Sequence, residues 1–151
     1  MNEAFLQGLR DLGYVEGGNI VIEYRDAQGK SERLPALAAE LATLKVAVIV
    51  AGATPQTLAA RQATRTIPIV FASVADPVTS GFVTSLARPG GNVTGLTGVA
   101  PDLVGKGLEL LKQAVPGVRR VAALWQPGGT TEGTDRRMLK EAEVAPLCQD
   151  E

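Results

Sequence analysis

The chain has 151 residues, 45% of them hydrophobic, enough for one ordinary domain with a buried core. Fifteen Lys and Arg residues are scattered among sixteen Asp and Glu, a net charge of −1, so no basic stripe is present for a nucleic-acid backbone. With no histidine and a single cysteine, Cys148, the composition excludes His-dependent triads, the usual His ligands of zinc, Cys-based metal clusters and an internal disulfide, and no cofactor or metal is expected.

Met1-Asn-Glu-Ala-Phe5 leads straight into an amphipathic segment rather than the basic and apolar regions of a secretory signal, so the chain as written would stay in the cytoplasm. Phe5, Leu6, Leu9 and Leu12 predict a helix over 4–12, with Gly13 as the left-handed residue that ends it. Gly17-Gly-Asn19 then turns the chain into a strand over 20–24. Ser31 is placed to cap a helix carrying Leu34, Ala38 and Leu41 on one stripe. The run Val46–Val50 has no polar alternation, which predicts a central strand covered on both faces, and it is far too short to cross a bilayer. A tight turn at 51–55 opens a helix through about Thr64.

From Ile67 to Gly98 the pattern predicts a buried strand, a short helix opened by Asp76-Pro77, a Gly-rich turn at Pro89–Gly91 and a second strand ending at Gly98. Pro101-Asp102 starts a helix bearing Leu103, Leu108, Leu110 and Leu111, ended near Pro116-Gly117, and 118–125 predicts another strand. The stretch 126–135 is polar and Gly-rich, a flexible link before a short helix over 136–144. Alternating strands and helices imply an α/β fold with a parallel sheet and right-handed crossovers.

In open α/β sheets ligands sit beyond the carboxyl ends of the strands. That rule selects Ala53, Thr54, Ser73, Val74, Asp76, Thr97 and Gly98 as ligand-binding candidates, with Trp125 and Gln126 at a further strand end. Thr54-Pro55 has the form of an N-cap and first helical residue, leaving the amides of Gln56 and Thr57 to attract an anion such as an amino-acid carboxylate. Thr54 caps its helix, contacts ligand, or does both. Asp76-Pro77 repeats the geometry; capping is the simpler role for Asp76, and meeting a ligand ammonium the sharper one. Ser73 and Thr97 offer hydroxyls to a ligand or to the backbone, and Trp125 is equally suited to stacking on an aromatic ligand or to the core. Other motifs fail. Gly105-Lys106 is followed by Gly107 where a phosphate loop needs Ser or Thr, Pro89–Asn92 precedes a strand rather than a helix, and the sequon Asn92-Val-Thr94 reads as coincidence.

Ala75-Asp-Pro-Val78 with Gly81-Phe-Val-Thr-Ser-Leu-Ala-Arg-Pro-Gly-Gly-Asn-Val-Thr-Gly95 resembles the core signature of the bacterial ABC-transporter substrate-binding protein family, whose better-known members bind tryptophan or other aromatic amino acids. The similarity takes in Phe5–Gly17, Asn19–Arg25, Arg33–Leu41 and Arg61–Phe71, and continues through Gly105–Lys112 and Pro116–Ala122 to about Trp125. It implies a type I periplasmic-binding-protein architecture of two doubly wound lobes enclosing a small-molecule ligand, which the closed form presents to an ABC permease. On that template, 1–98 is the first lobe lacking its first strand, and 99–151 begins the second. Intact members are periplasmic or lipid-anchored outside the inner membrane. Gln126 departs from the family's Asn-Pro loop, 147–151 has no family counterpart, and the chain reads as truncated at both ends.

The missing strand leaves neighbours unpaired, so poor stability or self-association through strand edges is expected. Two other readings share the architecture. A small-molecule enzyme such as a transferase lacks support from His, phosphate loop or clustered carboxylates, and the effector lobe of a regulator would need a helix-turn-helix.

Overall fold

The computed structural model describes residues 2–98, 100–124, 128 and 131–143. Three parallel strands form its sheet: β1 (Ile49–Ala51), β2 (Ile69–Val74) and β3 (Val93–Thr97), in the order β1-β2-β3. The register sets Ile49 beside Ile69 and Ile69 beside Val93, so these apolar side chains share one face. With Ala51, Phe71, Val74, Ala60, Phe82 and Val83 they make the core. Burying each of the larger side chains contributes on the order of 2 kcal/mol.

The helix over 54–63 covers that face. The first helix, α1 (Asn2–Asp11), ends as expected at Gly13, whose φ is +84°. α2 (Leu34–Thr43) has Pro35 in its first turn and follows one 3-10 turn at Ser31–Arg33. Ser31 therefore lies in that turn, and Arg33, without a side-chain cap bond, holds the cap position. α2 packs on α3 (Thr54–Ala63), which packs on β1 and β2. α4 (Ala100–Ala114) and α5 (Glu132–Glu143) pack on each other.

Several expectations change. The segment 20–24 joins no sheet; only an isolated bridge between Glu16 and Ile20 marks it, with Asn19 tying the preceding turn by accepting from the Val15 amide at 2.7 Å and donating to Gly13 O at 2.9 Å. A strand needs a neighbour's ladder, and β1 is not paired on that side among the described residues. β1 is consequently an edge strand of three residues, and Val50 and Val70 on the second face remain 46% and 37% exposed, so the central, doubly covered strand predicted for Val46–Val50 is corrected. No strand forms over 118–124, where 119–124 are exposed. After Asp76-Pro77 the chain makes turns rather than a helix, because Gly81 at φ +69° leads it out after one turn. α5 starts at Glu132, inside the expected link; Thr131 Oγ1 donates to Asp135 Oδ2 at 3.0 Å and Glu132 pairs with Arg136 one turn on.

Candidate ligand-binding site

Because all three strands run the same way, their carboxyl ends lie along one edge. Val74 is in register with Thr97, and Ala51 with Phe71, so the segments after β1, β2 and β3 leave the sheet side by side. Ala53, Thr54, Ser73, Val74, Asp76, Thr97 and Gly98 are thereby brought to this edge, in different settings. Trp125 and Gln126 lie outside the described residues.

Ala53, in extended conformation, is the N-cap of α3, and Thr54 is its first residue. The helix begins one residue earlier than Thr54-Pro55 alone suggested. Of the two amides expected to be free, Thr57's is bonded to Ala53 O at 3.0 Å, whereas Gln56's belongs to the first turn that no helical carbonyl reaches. Thr57, which the sequence reading passed over, is fully buried and donates its hydroxyl to the same Ala53 carbonyl at 2.8 Å. Thr54 is itself buried, at 6% exposure.

The register between β2 and β3 shifts from Phe71 to Val74, a bulge of one residue on β2. It turns Val74 fully into the core and leaves Ser73 exposed. Val74 therefore has only its backbone to give a ligand. Thr97 Oγ1 donates to Ala75 O at 3.3 Å, fastening the end of β3 to the segment after β2, and Gly98 is exposed beyond it.

Asp76 is the buried charge of the edge, 5% exposed. Its Oδ1 accepts from the Thr79 amide at 3.0 Å, the capping bond foreseen for it, here closing a turn instead of a helix. Its Oδ2 accepts from Arg137 Nη1 at 2.7 Å. The Arg137 Nη2 donates to Asp102 Oδ1 in the first turn of α4. Burial pushes the Asp76 carboxyl up, but hydrogen bonds from Thr79 and the Arg137 guanidinium outweigh it and hold the group below its ordinary value. The sequence carries no local signal for this bridge, since Arg137 is 61 positions from Asp76. Beside it, a cavity of about 240 Å³ is lined by Leu58, Thr79, Ser80, Phe82, Gly133 and Thr134. No group of His, Cys, Asp or Glu suited to a metal occurs among the described residues, nor does a helix long and apolar enough to cross a membrane.

The profile of ABC transporter substrate binding proteins matches residues 1–145. The chain belongs to that family. Among curated relatives of this substrate-binding family, a "Tyrosine-binding protein" of Clostridioides difficile (strain R20291) is 36% identical over 123 residues, covering 82% of this chain and 35% of the relative. Solved relatives include a conserved domain protein from Vibrio cholerae O1 biovar El Tor, with TM-score 0.82 and 37% identity over 91% of this chain and 46% of that one. An ABC domain from Streptococcus pneumoniae in complex with L-Trp gives TM-score 0.78 at 26% identity, with the same coverages. The ligand-free, open structure of a substrate binding protein with adhesive properties from Clostridium difficile gives 0.68 at 31% identity, over 94% and 48%. The chain thus spans about a third of the curated relative and just under half of each solved one. The α/β architecture with a parallel sheet, expected from the sequence, is the one these family structures share.

Proposed function

We propose that this chain forms one side, and part of the other, of a two-lobed solute receptor for an ABC importer, capturing an aromatic amino acid at the carboxyl edge of its sheet for delivery to a permease. In this reading 1–98 supplies the first lobe and 99–151 the opening of the second, working outside the cytoplasmic membrane as the family does. The observation that carries it is the convergence of three strand ends and the first turn of α3 on one rim. The ligand names of two relatives, tyrosine and L-Trp, support the class. The Gln56 amide at the α3 N-terminus suits the ligand carboxylate, and Ser73, Thr97 and backbone at Ala53, Val74 and Gly98 suit its polar groups. Nothing in this role makes or breaks a bond.

Titration of the ¹⁵N-labelled chain with L-tyrosine and L-tryptophan tests the reading. Amides of Gln56, Ser73, Thr97 and Gly98 should shift together and saturate, with an affinity on the order of millimolar because contacts come mainly from one side. Thr54→Ala should weaken the response. Shifts confined to other regions, or none at saturating ligand, would remove the rim from the site.

A further inference from the structure

Arg137 connects parts of the chain that are otherwise far apart. One prong of its guanidinium holds Asp76 at the end of β2, and the other holds Asp102 on α4. Asp76 is a firm anchor, being buried and held on its other oxygen by the Thr79 amide. A second contact runs alongside: a Cβ added to Gly133, in the first turn of α5, would sit 3.2 Å from the Thr79 methyl group. Thr134 next to it is 4% exposed. The first turn of α5 is therefore seated against the turn that follows β2, and Arg137 lies one helical turn further on. A planar fork between two carboxylates fixes direction as well as distance, which a lysine ammonium does not.

We propose that Arg137 is a positioning residue that draws the α4–α5 pair over the rim of the crevice, so that closure is built into the chain as well as supplied by ligand. The purpose assigned to the latch rests on the binding function proposed above: a preset closure reduces what differential ligand affinity must supply. The latch itself is tested without ligand.

Hydrogen exchange read by mass spectrometry on the full chain and its variants provides that test. Arg137→Gln should raise exchange in 132–143 and 77–82 by on the order of tenfold, leaving β2 and α3 as protected as in the parent chain. Arg137→Lys should recover only part of the protection, and adding Arg137→Gln to Asp76→Asn should change little further. Unchanged exchange in 132–143, full recovery with lysine, or a uniform rise through β1–β3 would overturn the latch. Titrating parent and Arg137→Gln chains with L-tryptophan separates the two proposals. Exchange as expected with no binding by either leaves the latch standing and removes the receptor function; binding without the exchange pattern does the reverse.

Discussion

At the scale of single residues, Gly95 shows how closely two strands meet. Its φ is +156°, and an added Cβ would lie 2.1 Å from the Phe71 carbonyl oxygen and 2.5 Å from its ring. Neither atom is able to yield, since one is backbone and the other is packed in the core. Gly95→Ala should cost about 3 kcal/mol and lower the melting temperature by roughly 6–12 °C; a variant melting with the parent chain would show that the strands separate freely there. Asn92 is a related case. Its Nδ2 donates to Ile67 O at 2.7 Å, stapling the start of β3 to the segment entering β2, a role that neither its place in the family signature nor the sequon it opens discloses. Gly13 was legible because its role is settled within a few residues, and Thr54-Pro55 marked the start of α3 to within one residue, although Ala53 rather than Thr54 is the N-cap and no side chain caps the helix. Gly95 and Asn92 fall inside the family signature, but they and Arg137 act on partners far along the chain, and no local pattern announces those contacts.

At the scale of elements, the seating of α5 has an electrostatic component with a definite pH sign. The Asp76 carboxyl is held below its ordinary value of 3.8 in the folded chain. A lowered folded-state value means that its contribution is complete above the ordinary carboxylate range and is lost as pH falls through the lowered value. Arg137 stays charged throughout, and Asp102, Glu141 and Asp76 all act on it. Protection of 132–143 should therefore be flat from neutrality to about pH 5 and fall only below about pH 4, with a weaker fall in Asp76→Asn. Loss beginning near pH 6 would contradict this assignment. Helical elements were well forecast from sequence, because the spacing of Phe5, Leu6 and Leu9 or of Leu34, Ala38 and Leu41 is a local property. The forecasts at 20–24 and 118–125 rested on strand-like composition, but a ladder also requires a partner, and none of the described strands pairs with 20–24 or 118–124. The helix expected after Pro77 does not form, because the chain turns away at Gly81, the first glycine free to adopt positive φ.

At the scale of the whole molecule, the sheet is finished on one face and open on the other. β1 has an unpaired edge among the described residues, flanked by exposed Val48 and Val50, with Val70 beside them. Such an edge offers its backbone groups to another chain. We expect concentration-dependent self-association in size-exclusion chromatography, above the 15.7 kDa of one chain, and relief of it by Val50→Lys. A single monomer peak at every concentration would count against that expectation. The bulge in β2 has a quieter consequence. Phe71 and Val74 both point inward although they are three positions apart, an odd count that a regular strand does not permit. The additional residue resets the parity of the strand just before it leaves the sheet, so that a valine rather than a serine seals the interior and the hydroxyl is presented outside. What looks like an irregular rung is thus the point at which this chain changes from building its interior to displaying polar chemistry.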